Sequence, residues 1–98
     1  MSVDNVPDLL VNGLTSFLQA NNAFDSSSKR FVDFLLDNGE RGLAIDSLAK
    51  LACVEGIVIP NDLVMRYESY CDYYDKLDDF EEFKIEFERL KAERASAK

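Results

Sequence analysis

The residues with the most chemical potential in this chain are crowded into one stretch, Tyr67 to Glu82. All four tyrosines, Tyr67, Tyr70, Tyr73 and Tyr74, fall inside it, and from Glu68 to Glu82 there are seven acids against a single base, Lys76. At about 100° per helical residue, Tyr67, Tyr70 and Tyr74 share a stripe with Leu63 and Leu77, which predicts that they enter a core. Tyr73 falls off the edge of that stripe. Glu68, Asp72 and Asp75 lie toward the opposite face. An aromatic anchor with a polar tip beside carboxylates suits the surface of a basic protein, where tyrosine supplies rigid contact area and carboxylates accept bidentate bonds from arginine. The candidate contact residues are therefore Tyr73, Asp72, Asp75 and Glu68, with Asp79 and Glu82 next to them. Asp33, Asp37 and Glu40 form a second acidic edge and an alternative site. A plainer reading treats Tyr67–Glu82 as a solvated helix face with one surface tyrosine.

Catalytic arrangements are hard to assemble from what remains. The chain has no histidine, which removes the commonest general base and metal ligand. The serines gather at Ser26–Ser28, where helix capping accounts for them. The pairs Asp78-Asp79 and Glu81-Glu82 suit the start of a helix, where the macrodipole favours negative charge. The four glycines are isolated, so no phosphate-cradling loop exists. Asp72–Asp79 lacks the central glycine and closing glutamate of a calcium loop. Cys53 and Cys71 sit in helix-like sequence and read as buried free thiols. The expectation is a binding protein with no catalytic residues, no metal and no cofactor.

Charge and length bound the partners. The 98 residues carry 19 acids and 11 bases, net −8, with a sequence pI near 4.4. Such a chain is repelled by phosphate backbones and attracts basic proteins; the same charge also serves solubility. No apolar run approaches the roughly 18 residues that span a membrane. The opening MSVDNVPDLL has an acid where a secretory signal carries bases, which suggests a cytoplasmic protein.

Hydrophobic periodicity then supplies the elements that position these groups. Helices are predicted over Pro7–Ala20, capped by Asp4 or Asn5; Ser28–Asn38, closed by Gly39; Glu40–Glu55, closed by Gly56; Asp62–Leu77, capped by Asn61; and Asp79–Arg94, after a break at Asp78-Asp79. Their expected apolar faces are Leu9, Leu10, Leu14, Phe17 and Leu18; Phe31, Phe34 and Leu35; Leu43, Ala44, Leu48, Leu51, Ala52 and Val54; the tyrosine stripe; and Phe80, Phe83, Phe87 and Leu90. The third helix is apolar over the widest arc and should be central. The tail Ala95–Lys98 should fray. Residues 1–98 thus read as one all-α domain, a compact bundle of about five short amphipathic helices.

One segment resembles a known family. Phe34-Leu35-Leu36-Asp37-Asn38-Gly39-Glu40-Arg41-Gly42-Leu43-Ala44-Ile45-Asp46-Ser47-Leu48, followed by Glu55-Gly56-Ile57-Val58-Ile59, is similar to the MafI-type immunity proteins, the cytoplasmic partners of polymorphic and contact-dependent growth inhibition (CDI) toxins. The shared pattern is a helix ending in a Gly-Glu turn, then Gly-Leu-Ala opening an amphipathic helix, then an acid and an Ile-x-Ile-like connection. It covers about a quarter of the chain. The pattern has a structural explanation, since Gly39 closes one helix, Glu40 favours the start of the next, and Gly42 permits close approach. The resemblance implies an immunity protein that neutralises a cognate toxin domain, commonly a nuclease, by stoichiometric occlusion, with no homo-oligomer needed. The alternative is a helical adaptor that self-associates through Phe80, Phe83, Phe87 and Leu90.

Overall fold

The computed structural model describes residues 6–96. Five helices follow one another there: α1 (Val6–Ala20), α2 (Ser26–Asp37), α3 (Arg41–Val54), α4 (Asn61–Tyr73) and α5 (Leu77–Ser96), with no strand among the described residues. The expected all-α bundle is the observed fold. No helix among these residues is long and apolar enough to cross a membrane. The caps expected at Asp4 or Asn5 lie outside the described residues, as do residues 97–98 of the tail; α5 stays helical to Ser96.

The first four helices stop by one backbone device. A residue with positive φ follows the C-cap, and the next N–H reaches back five residues to a helix carbonyl. Gly39 (φ 73°) and Gly56 (φ 71°) do this without a Cβ penalty. The bonds are Glu40 N–H to Leu35 O at 2.8 Å and Ile57 N–H to Ala52 O at 2.8 Å. Asn22 and Asp75, both at φ 57°, do the same work with side chains; their bonds are Ala23 N–H to Leu18 O, 2.9 Å, and Lys76 N–H to Cys71 O, 2.7 Å. The chain therefore turns at Tyr74–Lys76, before the Asp78-Asp79 break expected from sequence. Asp25 caps α2, its carboxylate accepting from the Ser28 N–H at 2.8 Å. That bond to the backbone lowers the Asp25 pKa. The start of α4 differs from expectation: Asn61 is its first residue, and Pro60 occupies the cap without a side-chain bond.

The central position of α3 holds. It packs against α1, α2 and α5, while α4 packs against α1 and α5. Ala44, Ile45, Leu48, Ala49 and Ala52 are fully buried, and three alanines among them let neighbouring helices approach closely. Leu10, Leu14 and Leu18 of α1 face them. Gly13 marks the crossing with α4, since a Cβ there would sit 2.8 Å from Leu63 Cδ2.

Five core expectations are corrected. On α2 the buried pair is Val32 and Leu35, whereas Phe31 and Phe34 are 53% and 62% exposed; this helix meets only α3, so a narrow stripe suffices and the aromatics fall beside it. Leu43 and Val54 sit on the outer side of α3, and Leu9 on the rim of α1. Tyr74 and Leu77 are partly exposed because α4 ends before them. Cys71 is fully buried as expected, but Cys53 is only half-buried; both are free thiols. Phe80, Phe83 and Phe87 lie inside this chain's own core, so the seam of the adaptor alternative is already occupied.

Candidate partner-binding face

Three tyrosine rings lead from the core to solvent at the corner between α4 and α5. Tyr70 is buried; Tyr74 tilts against it with ring centroids 4.8 Å apart; Tyr73 meets Tyr74 edge-on at 4.9 Å. Tyr73 itself is 64% exposed. It is thus an outward aromatic backed by fixed rings, which lowers the entropy lost when a partner covers it. Asp72 and Asp75 flank it in sequence and are exposed, as is Glu68 one helical turn before Asp72.

The corner is tied to α3 by one carboxylate. Asp46 accepts from Tyr67 Oη at 2.8 Å and from Lys76 Nζ at 3.1 Å. Lys76 also lies 3.9 Å from Asp79 and 5.7 Å from the Tyr70 ring centroid. Burial, then the bond to Asp46, pushes the Tyr67 hydroxyl well above the ordinary tyrosine range. Burial likewise raises Tyr70. For Lys76 burial acts downward, but the bond and charge of Asp46 outweigh it and the pKa rises. Gly42 makes room for this arrangement, because a Cβ there would come within 3.1 Å of Lys76 Nζ and 3.2 Å of Tyr70 Oη. Burial pushes the Cys71 thiol up to about 11 and raises Cys53 as well. Neither is an activated nucleophile.

The six candidate residues fall into two groups. Glu68, Asp72, Tyr73 and Asp75 lie on the outer surface of α4 and its terminal turn. Asp79 and Glu82 instead line a groove of about 680 Å³ between α3 and α5. Its α3 wall is Asp46, Lys50, Cys53 and Val54; Tyr67 and Phe83 contribute from the core side. The α5 wall continues past Glu82 through Ile85, Glu86 and Arg89. Sequence reasoning missed this groove because α3 and α5 are distant in the chain. One signal was available: Asp79, Glu82, Glu86, Arg89 and Glu93 recur at alternating steps of three and four, a single charged stripe beside the phenylalanine seam.

The alternative edge is also exposed. Asp33 pairs with Lys29 at 2.9 Å, and Asp37 and Glu40 are open to solvent. With Phe31 and Phe34 turned outward, α2 carries aromatic and acidic groups on its surface too. No family model matches the chain, and neither a curated protein nor a solved structure does.

Proposed function

We propose that this chain is an immunity protein: it binds a cognate toxin domain of the contact-dependent growth inhibition or a related polymorphic class and silences it by stoichiometric occlusion. The toxin domain is basic, as a nuclease is, and the inhibitor acts in the cytoplasm of the cell that makes the toxin. The observation that carries this reading is Tyr73, exposed and supported from behind by Tyr74 and Tyr70, with Asp72 and Asp75 beside it. The resemblance of Phe34–Leu48 and Glu55–Ile59 to MafI-type proteins suggests the class of partner. Net charge −8 supplies steering toward a basic surface.

Occlusion asks little of the inhibitor's chemistry. Acidic and aromatic side chains cover a cationic cleft, or a surface next to it, and nucleic acid is excluded by volume and by charge. An interface of about 800 Å² from each partner suffices. Co-expression with the toxin domain tests the assignment. Tyr73→Ala and Asp72→Asn should each reduce protection. Asp75→Asn is preferable to alanine, because asparagine tolerates the left-handed backbone at that position. Undiminished protection from the triple variant would remove this corner from the interface, and loss of protection on altering Phe34 and Asp37 would move it to α2.

A further inference from the structure

We propose that the groove between α3 and α5 is a docking slot for a basic peptide segment of a protein partner, with a lysine or arginine side chain seated against Glu82. This rests on the binding reading above but concerns a different surface from Tyr73.

The charged stripe of α5 singles out that position. Lys76 is matched by two carboxylates, Asp46 and Asp79. Arg89 is also matched by two, Glu86 and Glu93. Glu82 lies between these clusters on the groove wall, is exposed, and has no ion pair or side-chain hydrogen bond among the described residues. The groove lining thus sets four carboxylates, Asp46, Asp79, Glu82 and Glu86, against two cations, Lys50 and Arg89, so the concave surface is left with an excess of negative charge.

The rest of the slot suits the stem of a long cationic side chain. Val54 is 81% exposed and Ile85 68% exposed, and both line the groove, with Phe83 and Cys53 deeper in it. Lysine and arginine lay their methylenes along apolar surface and deliver the charge at its edge. Lys50, on the α3 wall, also has no ion pair among the described residues and is free to donate to a main-chain carbonyl of the same segment. A peptide offers both groups; an apolar small molecule offers neither.

The test is an amide chemical-shift titration of the full chain with a short amidated peptide of alternating leucine and arginine, at low salt. A peptide of alternating leucine and glutamate is the control. Shifts should concentrate at Cys53, Val54, Glu82, Ile85 and Glu86, and the control should leave them unmoved. Glu82→Gln and Val54→Asn, both at exposed positions, should each weaken binding by about three- to tenfold. Shifts centred on Glu68, Asp72 and Asp75, shifts that track protein concentration and so report a second copy of this chain in the slot, an equal response to the control, or affinity unchanged in both variants would each overturn the proposal. The two readings separate cleanly. If Tyr73 variants lose toxin protection while Glu82 and Val54 variants bind the basic peptide like wild type, the slot is wrong and the immunity reading stands. If the slot binds as described but no toxin is neutralised, the reverse holds.

Discussion

Replacing Asp46 by alanine removes the one side-chain acceptor that, among the described residues, joins α3 to both α4 and the α4–α5 turn. The Tyr67 hydroxyl, on a residue only 2% exposed, loses its partner. A hydrogen bond to a charged acceptor contributes about 1.5–3 kcal/mol. Lys76 loses its closer carboxylate but keeps Asp79 and is 27% exposed, so its share is discounted to about 1 kcal/mol or less. The expected loss is about 3 kcal/mol, against a total of roughly 5–15 kcal/mol for a domain of this kind. For a chain of this length that lowers Tm by roughly 10–25 °C. Asp46→Asn keeps one oxygen for Tyr67 but loses the charge and turns the acceptor of Lys76 Nζ into a donor, so it should cost about 1–2 kcal/mol. Urea and thermal melts of both variants and of Tyr67→Phe give the numbers. A double-mutant cycle between Asp46→Ala and Tyr67→Phe should show coupling of about 1 kcal/mol or more. Additive effects, or Asp46→Ala lying within about 0.5 kcal/mol of wild type, would refute the claim that this carboxylate holds the corner in place.

Other outcomes follow from the same structure. Asp75→Gly should stabilise by about 0.5–1 kcal/mol, since φ 57° costs a side-chain-bearing residue more than glycine, whereas Asp75→Val should destabilise by more than that; denaturant midpoints decide. Leu48→Ala, at a fully buried site on the central helix, should cost about 2–5 kcal/mol. Tyr67, Lys76 and Cys71 all have folded pKa values raised above their unfolded ones. Each therefore favours the fold below its unfolded pKa and loses that contribution as pH climbs. Stability should be level from neutral pH to about 9, the unfolded thiol value, then fall through 11 and beyond. A midpoint that rises across that interval would contradict the assigned environments. Partner association should slow as salt is raised, while dissociation changes less; equal sensitivity of both rates would remove steering from the account.

What the sequence displays and what it conceals divides along physical lines. Gly39 and Gly56 announce their turns because glycine alone adopts φ near 70° freely. Asp75 makes the same turn with a side chain, so the α4–α5 corner carries no glycine to mark it and lies three residues before the Asp78-Asp79 pair that suggests a break. The buried face of α2 is not legible from apolarity alone, because two phenylalanines, Phe31 and Phe34, dominate the window. Burial there is set by a single neighbour, α3, and Val32 and Leu35 fill it. Tyr73 was legible as the outward tyrosine, since its angle on α4 follows from spacing alone. The role of Asp46 was not, because its partners lie 21 and 30 residues away. The groove at Glu82 was hidden for the same reason: it belongs to the meeting of two helices and to neither one alone.

The most direct test of the immunity reading is a titration of toxin against inhibitor. The proposed partner, a basic toxin domain that acts on nucleic acid, is held at fixed concentration, its activity is measured, and the purified chain is added stepwise. Occlusion predicts a linear fall to zero at one inhibitor per toxin. Activity that stays constant through a large molar excess of a folded chain would contradict the account.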